Sequence, residues 1–288
     1  MTVALFFAIA AFVAWGSGDI FNTIVARKSG ALYSTFWLFL LGGVFSLLIL
    51  PFQWRSLTLF TPPIFLLSLG LSALLVVSGF CFLQALKYGE PTVVGTITGS
   101  FVAIVVILSI VFLHEKLIPA QAAAITVIFV GLLLSNISVS ALKNREVKPS
   151  KGTAYAILAM LGWGVYFTFI KVPIERVGWF PAEFIAGISG PIIIVLAAWY
   201  MHRTIPKLSH GGVGLPMTVA ALLAAIGTNA SNIAYQYGNV AVVAPITGSY
   251  PVLFAALAHY IFKEPLSRQQ TVGIVVTLAG IVGLSFVS

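Results

Sequence analysis

The chain alternates between long apolar runs and short polar breaks from one end to the other. A membrane-spanning helix needs about 20 mostly apolar residues, and ten runs approach that length. Most charged side chains lie in the breaks, including the basic stretch at 143–151. The pattern therefore predicts an all-α membrane protein with ten transmembrane helices, at 2–24, 33–51, 62–84, 92–113, 119–140, 152–172, 179–200, 214–236, 241–262 and 268–287.

The composition agrees with this interpretation and excludes other classes of protein. Hydrophobic residues make up 60% of the chain and charged residues 8%, with a mean hydropathy of +1.08, outside the range of soluble globular domains. The 15 Lys and Arg are scattered between apolar runs, as in membrane loops rather than on a nucleic-acid-binding surface. A single cysteine, Cys81, excludes an intramolecular disulfide and a thiolate metal cage. No nucleic-acid partner, cofactor or metal is expected.

Two segments of the chain nearly repeat each other. Residues 85–100 (ALKYGEPTVVGTITGS) and 234–249 (AYQYGNVAVVAPITGS) agree at nine of sixteen positions, 149 residues apart. Trp15 and Trp163, each followed by glycine, match at an offset of 148. The chain therefore contains an internal duplication.

The repeated unit comprises five predicted helices. The first repeat is assigned to 1–142 and the second to 152–288, with the basic loop at 143–151 between them. Because five is an odd number, the second copy enters the membrane with the opposite polarity. Inverted repeats of this kind let a bundle open alternately to the two sides of a membrane.

Three motifs, in this order, are similar to those of a known family: WGS at 15–17, midway along helix 1; ALKY at 85–88, before helix 4; and HEKL at 114–117, between helices 4 and 5. Together with ten helices in two halves, they make almost the whole chain resemble the EamA-type drug/metabolite transporter superfamily. The resemblance implies a secondary carrier with a central cavity, commonly an exporter of amino acids, metabolites or drugs. It does not imply a particular substrate.

Helix 1 carries a carboxylate, Asp19, within its apolar run. A central Asp costs about 2.5 to 3.5 kcal/mol on insertion scales, whereas each Leu, Ile, Phe or Val contributes only about 0.3 to 0.6 kcal/mol. Asp19 shares a helix face with Phe12, Trp15 and Asn22, which we expect to point into the bundle. There it would bind a proton or a cationic group. The alternative is an interfacial Asp that reaches headgroup water. The second repeat has Phe167 at the matching position, so the fold does not require an acid there.

Helix 8 carries three amides at i, i+3 and i+7 spacing, which places them on one stripe: Asn229, Asn232 and Gln236. An amide facing lipid would leave its donors unsatisfied, so the stripe must meet protein or water. Substrate binding and interhelical hydrogen bonding explain the stripe equally well.

The duplicated Ile-Thr-Gly-Ser blocks lie in helices 4 and 9, at 97–100 and 246–249. Small residues let helix backbones approach closely, and hydroxyls bond a preceding carbonyl. Close packing is therefore the favoured interpretation, and cavity lining is the alternative. The four hydroxyls concerned belong to Thr98, Ser100, Thr247 and Ser249.

Helix 9 differs from helix 4 by two prolines, Pro245 and Pro251. Each removes a backbone donor, which predicts a kink or hinge. Tyr250 lies beside the freed carbonyls and is a candidate substrate contact. Trp15, Trp163 and Tyr166 complete the candidate cavity residues, although packing explains the two tryptophans equally well.

Local structure explains other ionisable residues. Glu183 stands near the start of helix 7, where an acid complements the helix dipole. Lys171 and Glu175 are four residues apart and predict an ion pair at the membrane surface. Glu115 and Glu264 are expected to anchor loops.

No phosphate loop, HExxH, GxSxG or metal-spaced cluster is present, so we predict neither an enzyme nor built-in ATP hydrolysis. The favoured function is secondary active transport of a small organic solute by alternating access, with proton-coupled export or exchange. Asp19 favours a cationic or zwitterionic solute. The alternatives are an uptake carrier or facilitated uniporter, and, from another class, a membrane-embedded enzyme or a non-transporting scaffold. The expected location is the cell (inner or plasma) membrane, as a monomer or homodimer, with the solute, the bilayer and optionally protons as partners.

Charge and resemblance disagree about membrane orientation. With a cytoplasmic N-terminus, as the resemblance suggests, eleven of the 15 Lys and Arg lie in outer loops and four in inner ones. The positive-inside rule instead favours both termini outside. Both orientations stay open.

Overall fold

The structure is a computed structural model that describes residues 2–88, 94, 97–136, 151–263 and 266–288. Glu264 and residues 143–150 of the predicted basic loop lie outside this part. Within it, every regular element is helical, as predicted. The helices are α1 (Thr2–Ser29), α2 (Ala31–Leu57), α3 (Pro62–Tyr88), α4 (Phe101–Phe112), α5 (Pro119–Asn136), α6 (Lys151–Phe169), α7 (Lys171–Val177), α8 (Trp179–Tyr200), α9 (Gly214–Tyr237), α10 (Val240–Thr247), α11 (Tyr250–Phe262) and α12 (Arg268–Phe286).

Eight helical segments of the described chain are long and apolar enough to cross a membrane. One of them, Lys151–Val177, joins α6 to α7, and another, Val240–Phe262, joins α10 to α11. Two further apolar helices, Ile97–Phe112 and Pro119–Ser135, are shorter. These two coincide with the fourth and fifth predicted spans, and both adjoin residues outside the described part.

Large apolar side chains cover the outside of the bundle. Phe52 and Leu48 of α2 are 85% and 69% exposed, and Phe286 at the end of α12 is 84% exposed. An exposed apolar surface of this extent suits contact with lipid rather than water. The helices satisfy their own backbone hydrogen bonds, as a lipid-facing backbone must. The multi-pass membrane class predicted from the apolar runs is therefore consistent with the surface.

Two glycines at duplicated positions end the first span of each half. Gly30 separates α1 from α2 with φ 80° and ψ 173°, and Gly178 separates α7 from α8 with φ 92° and ψ 168°. This region of backbone space is open essentially only to glycine. The two residues are 148 apart, the offset of the Trp-Gly repeat. The duplication therefore extends to the backbone conformation of a turn.

The main helix contacts keep their pattern when the two halves are exchanged. Helix α1 packs on α9 and on α11. The helix that corresponds to α1 in the second half is α6, and it packs on α3 and on α4, the counterparts of α9 and α11. Helix α2 packs on α8, and α5 packs on α12, each pair being its own counterpart. The first half therefore packs against the second through contacts related by a pseudo-two-fold exchange, and the bundle interior lies where the halves meet.

A matched pair of glycines allows two of these contacts. A Cβ placed on Gly16 of α1 would lie 2.9 Å from Leu253 Cβ in α11. The counterpart on Gly164 of α6 would lie 2.5 Å from Ile104 Cγ2 in α4. Both distances are too short for a real Cβ unless the neighbour moves. Both halves therefore need the glycine of the Trp-Gly motif for the same reason. In each half, this glycine allows close packing on the helix that begins directly after an Ile-Thr-Gly-Ser block.

Candidate functional site

A cavity of about 230 Å³ lies between the two halves, walled by α1, α2, α3, α4, α6, α8, α9 and α11. Four of the sequence-predicted site residues line it: Trp15, Asp19, Trp163 and Tyr250. The other lining residues are Leu38, Phe39, Gly42, Gly43, Leu75, Phe101, Phe167, Glu183, Ala186, Gly187, Ala224, Ala225 and Thr228. The wall is mostly apolar, with a few polar groups, as in small-molecule sites generally.

Three pairs of duplicated positions line this cavity. Trp15 and Trp163 correspond at an offset of 148, as do Asp19 and Phe167. Phe101 and Tyr250 correspond at 149. All six residues line the wall. The cavity therefore lies where the two halves meet. Its wall is chemically asymmetric, because Asp19 and Tyr250 carry polar groups whereas their counterparts Phe167 and Phe101 do not.

Five aromatic rings of the wall form a continuous chain. Ring centroids are 5.7 Å apart for Tyr250 and Trp15, 5.9 Å for Trp15 and Phe167, 5.3 Å for Phe167 and Phe101, and 5.9 Å for Phe101 and Trp163. Most of these contacts are edge-to-face or tilted, which aromatic pairs favour. Faces of such rings attract cations within about 6 Å. The described wall therefore contains a continuous run of aromatic rings that begins one helical turn from Asp19.

Asp19 lies one helical turn after Trp15 and faces the same cavity. The side chain of Asn22, the next residue on the predicted face, lies near its carboxyl. Tyr250 is close enough to interact electrostatically with it. Phe12, at the other end of the predicted face, is buried in the apolar core. The face of α1 predicted from helical spacing thus points into the bundle, and Asp19 lies in a wall that also contains aromatic rings.

Glu183 is a second carboxylate in the cavity wall, and sequence reasoning assigned it to the helix dipole. Glu183 is the fifth residue of α8 and therefore lies beyond the first turn. The effect of the helix dipole is strongest within the first turn. Glu183 is only 8% exposed. The signal that could have identified it was the one used for Asp19, an acid within an apolar run. Tyr166 is itself buried and interacts electrostatically with Glu183, but it is not part of the wall.

The amide stripe of α9 lies beside the cavity rather than in its wall. Asn229 donates from Nδ2 to the Ala225 carbonyl at 2.8 Å, within its own helix. The Gln236 Oε1 accepts a hydrogen bond from the backbone N–H of Trp179 at 3.1 Å, joining α9 to the start of α8. Asn232 is buried, and its Nδ2 has no partner within the described residues. Gln236 therefore makes an interhelical contact, whereas Asn232 has an unused donor.

Hydroxyls of the Ile-Thr-Gly-Ser blocks bond carbonyls one turn earlier. Thr98 donates to the Val94 carbonyl at 2.8 Å, Thr247 to that of Ala244 at 3.3 Å, and Ser249 to that of Pro245 at 2.5 Å. Ser100 immediately precedes α4. None of these residues lines the cavity. The blocks instead interrupt the fourth and ninth predicted spans at the same place in each half.

The second of these interruptions separates α10 from α11. Pro245 lies inside α10, and Pro251 is the second residue of α11, where a missing backbone donor costs nothing. A Cβ on Gly248, between the two helices, would lie 2.4 Å from Val102 Cγ2 in α4. The second block therefore packs against the start of α4, beside the wall residue Phe101.

The described residues hold no cluster of three or more His, Cys, Asp or Glu side chains with metal-site geometry. The wall of the cavity, as far as it is described, also contains no Lys, Arg or His. A cation that entered it would meet no fixed positive charge. The chemistry available in the cavity is therefore that of two carboxylates, aromatic faces and a few hydroxyls.

Comparison with known proteins agrees with the duplicated architecture. The family model described as EamA-like transporter family matches the chain twice, at residues 2–137 and 150–286. A crystal structure of another protein covers 100% of this chain and 98% of its own, with a TM-score of 0.79 and 18% identity. At that identity the likeness concerns the fold alone. The resemblance found in the sequence motifs is confirmed by the family match.

A curated relative has about the length of one half. An uncharacterized protein of Methanocaldococcus jannaschii is 28% identical over 139 residues, which is 48% of this chain and 99% of that protein. A protein of a single repeat's length is thus similar to half of this chain, as expected if the chain arose by duplication.

Proposed function

Because this chain belongs to the EamA-like transporter family, we propose that it is a secondary carrier that moves a small organic cation or zwitterion across the cell membrane. The composition of the cavity wall supports this class of solute. Asp19 lies among aromatic rings there, and no Lys, Arg or His is present in the described wall. Attraction by a carboxylate and by ring faces selects a positively charged group.

Alternating access requires that the two halves exchange roles. We propose ten spans, the two short apolar helices included, arranged as inverted five-helix repeats. The exchange-related helix contacts support this arrangement, because the main contacts between the halves keep their pattern when the halves are exchanged. A cavity on the pseudo-two-fold relation would then open to either side by rocking of one half against the other.

We propose Asp19 as the group through which protons drive transport. A carboxylate that holds either a proton or the substrate cation, but not both, exchanges one for the other across the membrane. Export or exchange is the favoured direction. An uptake carrier or facilitated uniporter is the alternative, and it would use the same site without obligatory exchange. A membrane-embedded enzyme, the alternative from another class, would need catalytic groups that converge on one reacting atom.

Transport in proteoliposomes tests the proposal directly. Vesicles carrying purified protein would be loaded or bathed with radiolabelled organic cations, with and without an imposed pH gradient. We expect accumulation that follows the gradient, and we expect Asp19→Asn to abolish that dependence. The matched control is Glu175→Gln, a carboxylate that is 59% exposed and pairs with Lys171 outside the cavity.

The outcomes separate the alternatives. Movement of a cation that ignores the pH gradient in the wild type and in Asp19→Asn would leave a uniporter. Absence of any solute movement across a broad substrate panel, with folded protein in the vesicles, would leave the enzyme or scaffold.

A further inference from the structure

We propose that Glu183 is a second cation-binding group and that the cavity takes a small diammonium compound, with one ammonium at Asp19 and the other at Glu183. The proposal deepens the proposed function and rests on it, because it concerns the solute of the same cavity. It concerns a residue that the sequence motifs did not single out.

Glu183 receives no hydrogen bond and forms no ion pair within the part of the chain that the structure describes. The residue is only 8% exposed. Asp19 differs, because the side-chain amide of Asn22 lies near its carboxyl. A buried carboxylate without a donor or cation is costly. A group in this state that faces a cavity is poised for a ligand that brings the missing positive charge.

The two carboxylates come from different halves and different surroundings. Asp19 projects from α1 beside the rings of Trp15 and Tyr250. Glu183 projects from α8, with Ala186 and Gly187 on the same helix face. One carboxylate of the wall therefore lies on the helix that carries Trp15, and the other shares its helix face with small residues.

Helices α2 and α8 cross closely one helical turn from Glu183. A Cβ on Gly187 would lie 2.8 Å from the Gly43 Cα in α2, and one on Gly43 would lie 2.5 Å from the Gly187 carbonyl oxygen. Both glycines line the cavity. A primary ammonium on a slim methylene chain fits such a wall better than a bulky quaternary group does, whereas the aromatic rings accept either. An α,ω-diamine meets both carboxylates at once, and a monoamine satisfies only one carboxylate.

Binding of matched amines tests the proposal. Affinities of purified wild-type protein in lipid nanodiscs would be measured for linear α,ω-diamines of increasing length and for the monoamine of each length. We expect the best diamine to bind about 10-fold or more tightly than its monoamine, the size of effect expected of one additional partly buried charge pair. In Glu183→Gln, diamine affinity should fall toward that of the monoamine, and monoamine affinity should change less.

Glu183→Asp provides the second variant, because it keeps the charge on a shorter side chain. We expect it to retain a preference for diamines, shifted to a longer one. Glu175→Gln, outside the cavity, should match the wild type. Thermal unfolding of each variant reports whether it folds.

The outcomes distinguish this inference from the proposed function. Wild-type protein that binds neither amine would contradict both. Equal affinity for diamines and monoamines, or a diamine preference that survives Glu183→Gln, would overturn the second site alone and leave a single-carboxylate cation carrier. A diamine preference lost in Glu183→Gln and kept in Glu183→Asp would establish it.

Discussion

The carboxylate of Glu115 accepts hydrogen bonds from the backbone N–H groups of Val240 and Ala241, each with an O–N distance of 2.7 Å. These are the first two residues of α10, where backbone donors have no acceptor within the helix. Glu115 follows α4 in the first half of the chain, and α10 belongs to the second. The expected loop anchor is thus a helix cap that joins the halves.

Removal of this cap should weaken the protein. We expect Glu115→Ala to lower the free energy of unfolding by about 1 to 2 kcal/mol, the usual effect of losing a helix cap, because two amides lose a charged acceptor. Glu115→Gln keeps one acceptor oxygen and should lose less. Thermal unfolding in detergent measures both, with Glu175→Gln as control. An unchanged unfolding temperature for Glu115→Ala would contradict the role of the cap.

The crossing of α2 and α8 predicts opposite effects for adjacent glycines. A Cβ on Gly43 would lie 2.5 Å from the Gly187 carbonyl oxygen, whereas one on Gly42 would meet nothing within 4 Å. Gly43→Ala should therefore destabilise the protein by about 1 to 3 kcal/mol, the range for overpacking. Gly42→Ala should be neutral or stabilise by up to about 1 kcal/mol through helix propensity. Similar unfolding temperatures for the two variants would show that the helices separate easily.

The rings of the cavity should contribute to cation affinity. Trp15 contacts both Phe167 and Tyr250 and shares a helix face with Asp19. We expect Trp15→Leu to weaken binding of an organic cation about 3- to 30-fold, as expected for loss of a cation–π contact, and Trp15→Phe to weaken it less. Trp199→Leu is the matched control, because Trp199 is 76% exposed on the outside of α8. The idea fails if both tryptophan-to-leucine variants behave alike.

Substitution of two neighbouring amides of α9, Asn232 and Gln236, should affect transport and stability differently. Gln236→Leu removes the acceptor of the Trp179 N–H and should lower the unfolding temperature. Asn232→Leu removes a buried donor that has no partner in the described chain, so it should not destabilise the fold. We expect Asn232→Leu to reduce transport more than stability. Equal losses of stability in both variants would favour interhelical contact for the whole stripe.

The proline of α10 should matter for turnover rather than for affinity. Pro245 lies inside a helix that ends beside Gly248 and Ser249. Pro245→Ala restores a backbone donor, and we expect it to slow maximal transport, because a straighter segment resists the change between open forms. Pro216→Ala, in the first turn of α9, is the control. Binding measured without transport should be unchanged in both; a weakened affinity in Pro245→Ala would argue for a binding role instead.

Sequence reasoning predicted Asp19 as an inward-facing carboxylate and Trp15 as its neighbour because both follow one helical period within one apolar run. It treated Glu183 as a dipole partner because the residue lies near the predicted start of the helix, and the apolar run does not show which face meets the cavity. It also did not identify Phe101 as a residue of the cavity wall, although the duplication aligned it with Tyr250. Those assignments need the contact between helices that lie far apart in the chain.

The sequence by itself determined the helical class, the places of the apolar segments and the duplication, because lipid requires continuous apolar helices and a repeat is visible in the residues themselves. Only the tertiary structure decided which faces meet. Helical spacing places Asp19 and Trp15 on one face, but it does not say that Glu183 of another helix shares their cavity, or that Glu115 caps α10. Those relations follow from the packing of one half against the other, where close glycine contacts fix which side chains remain to line the space between.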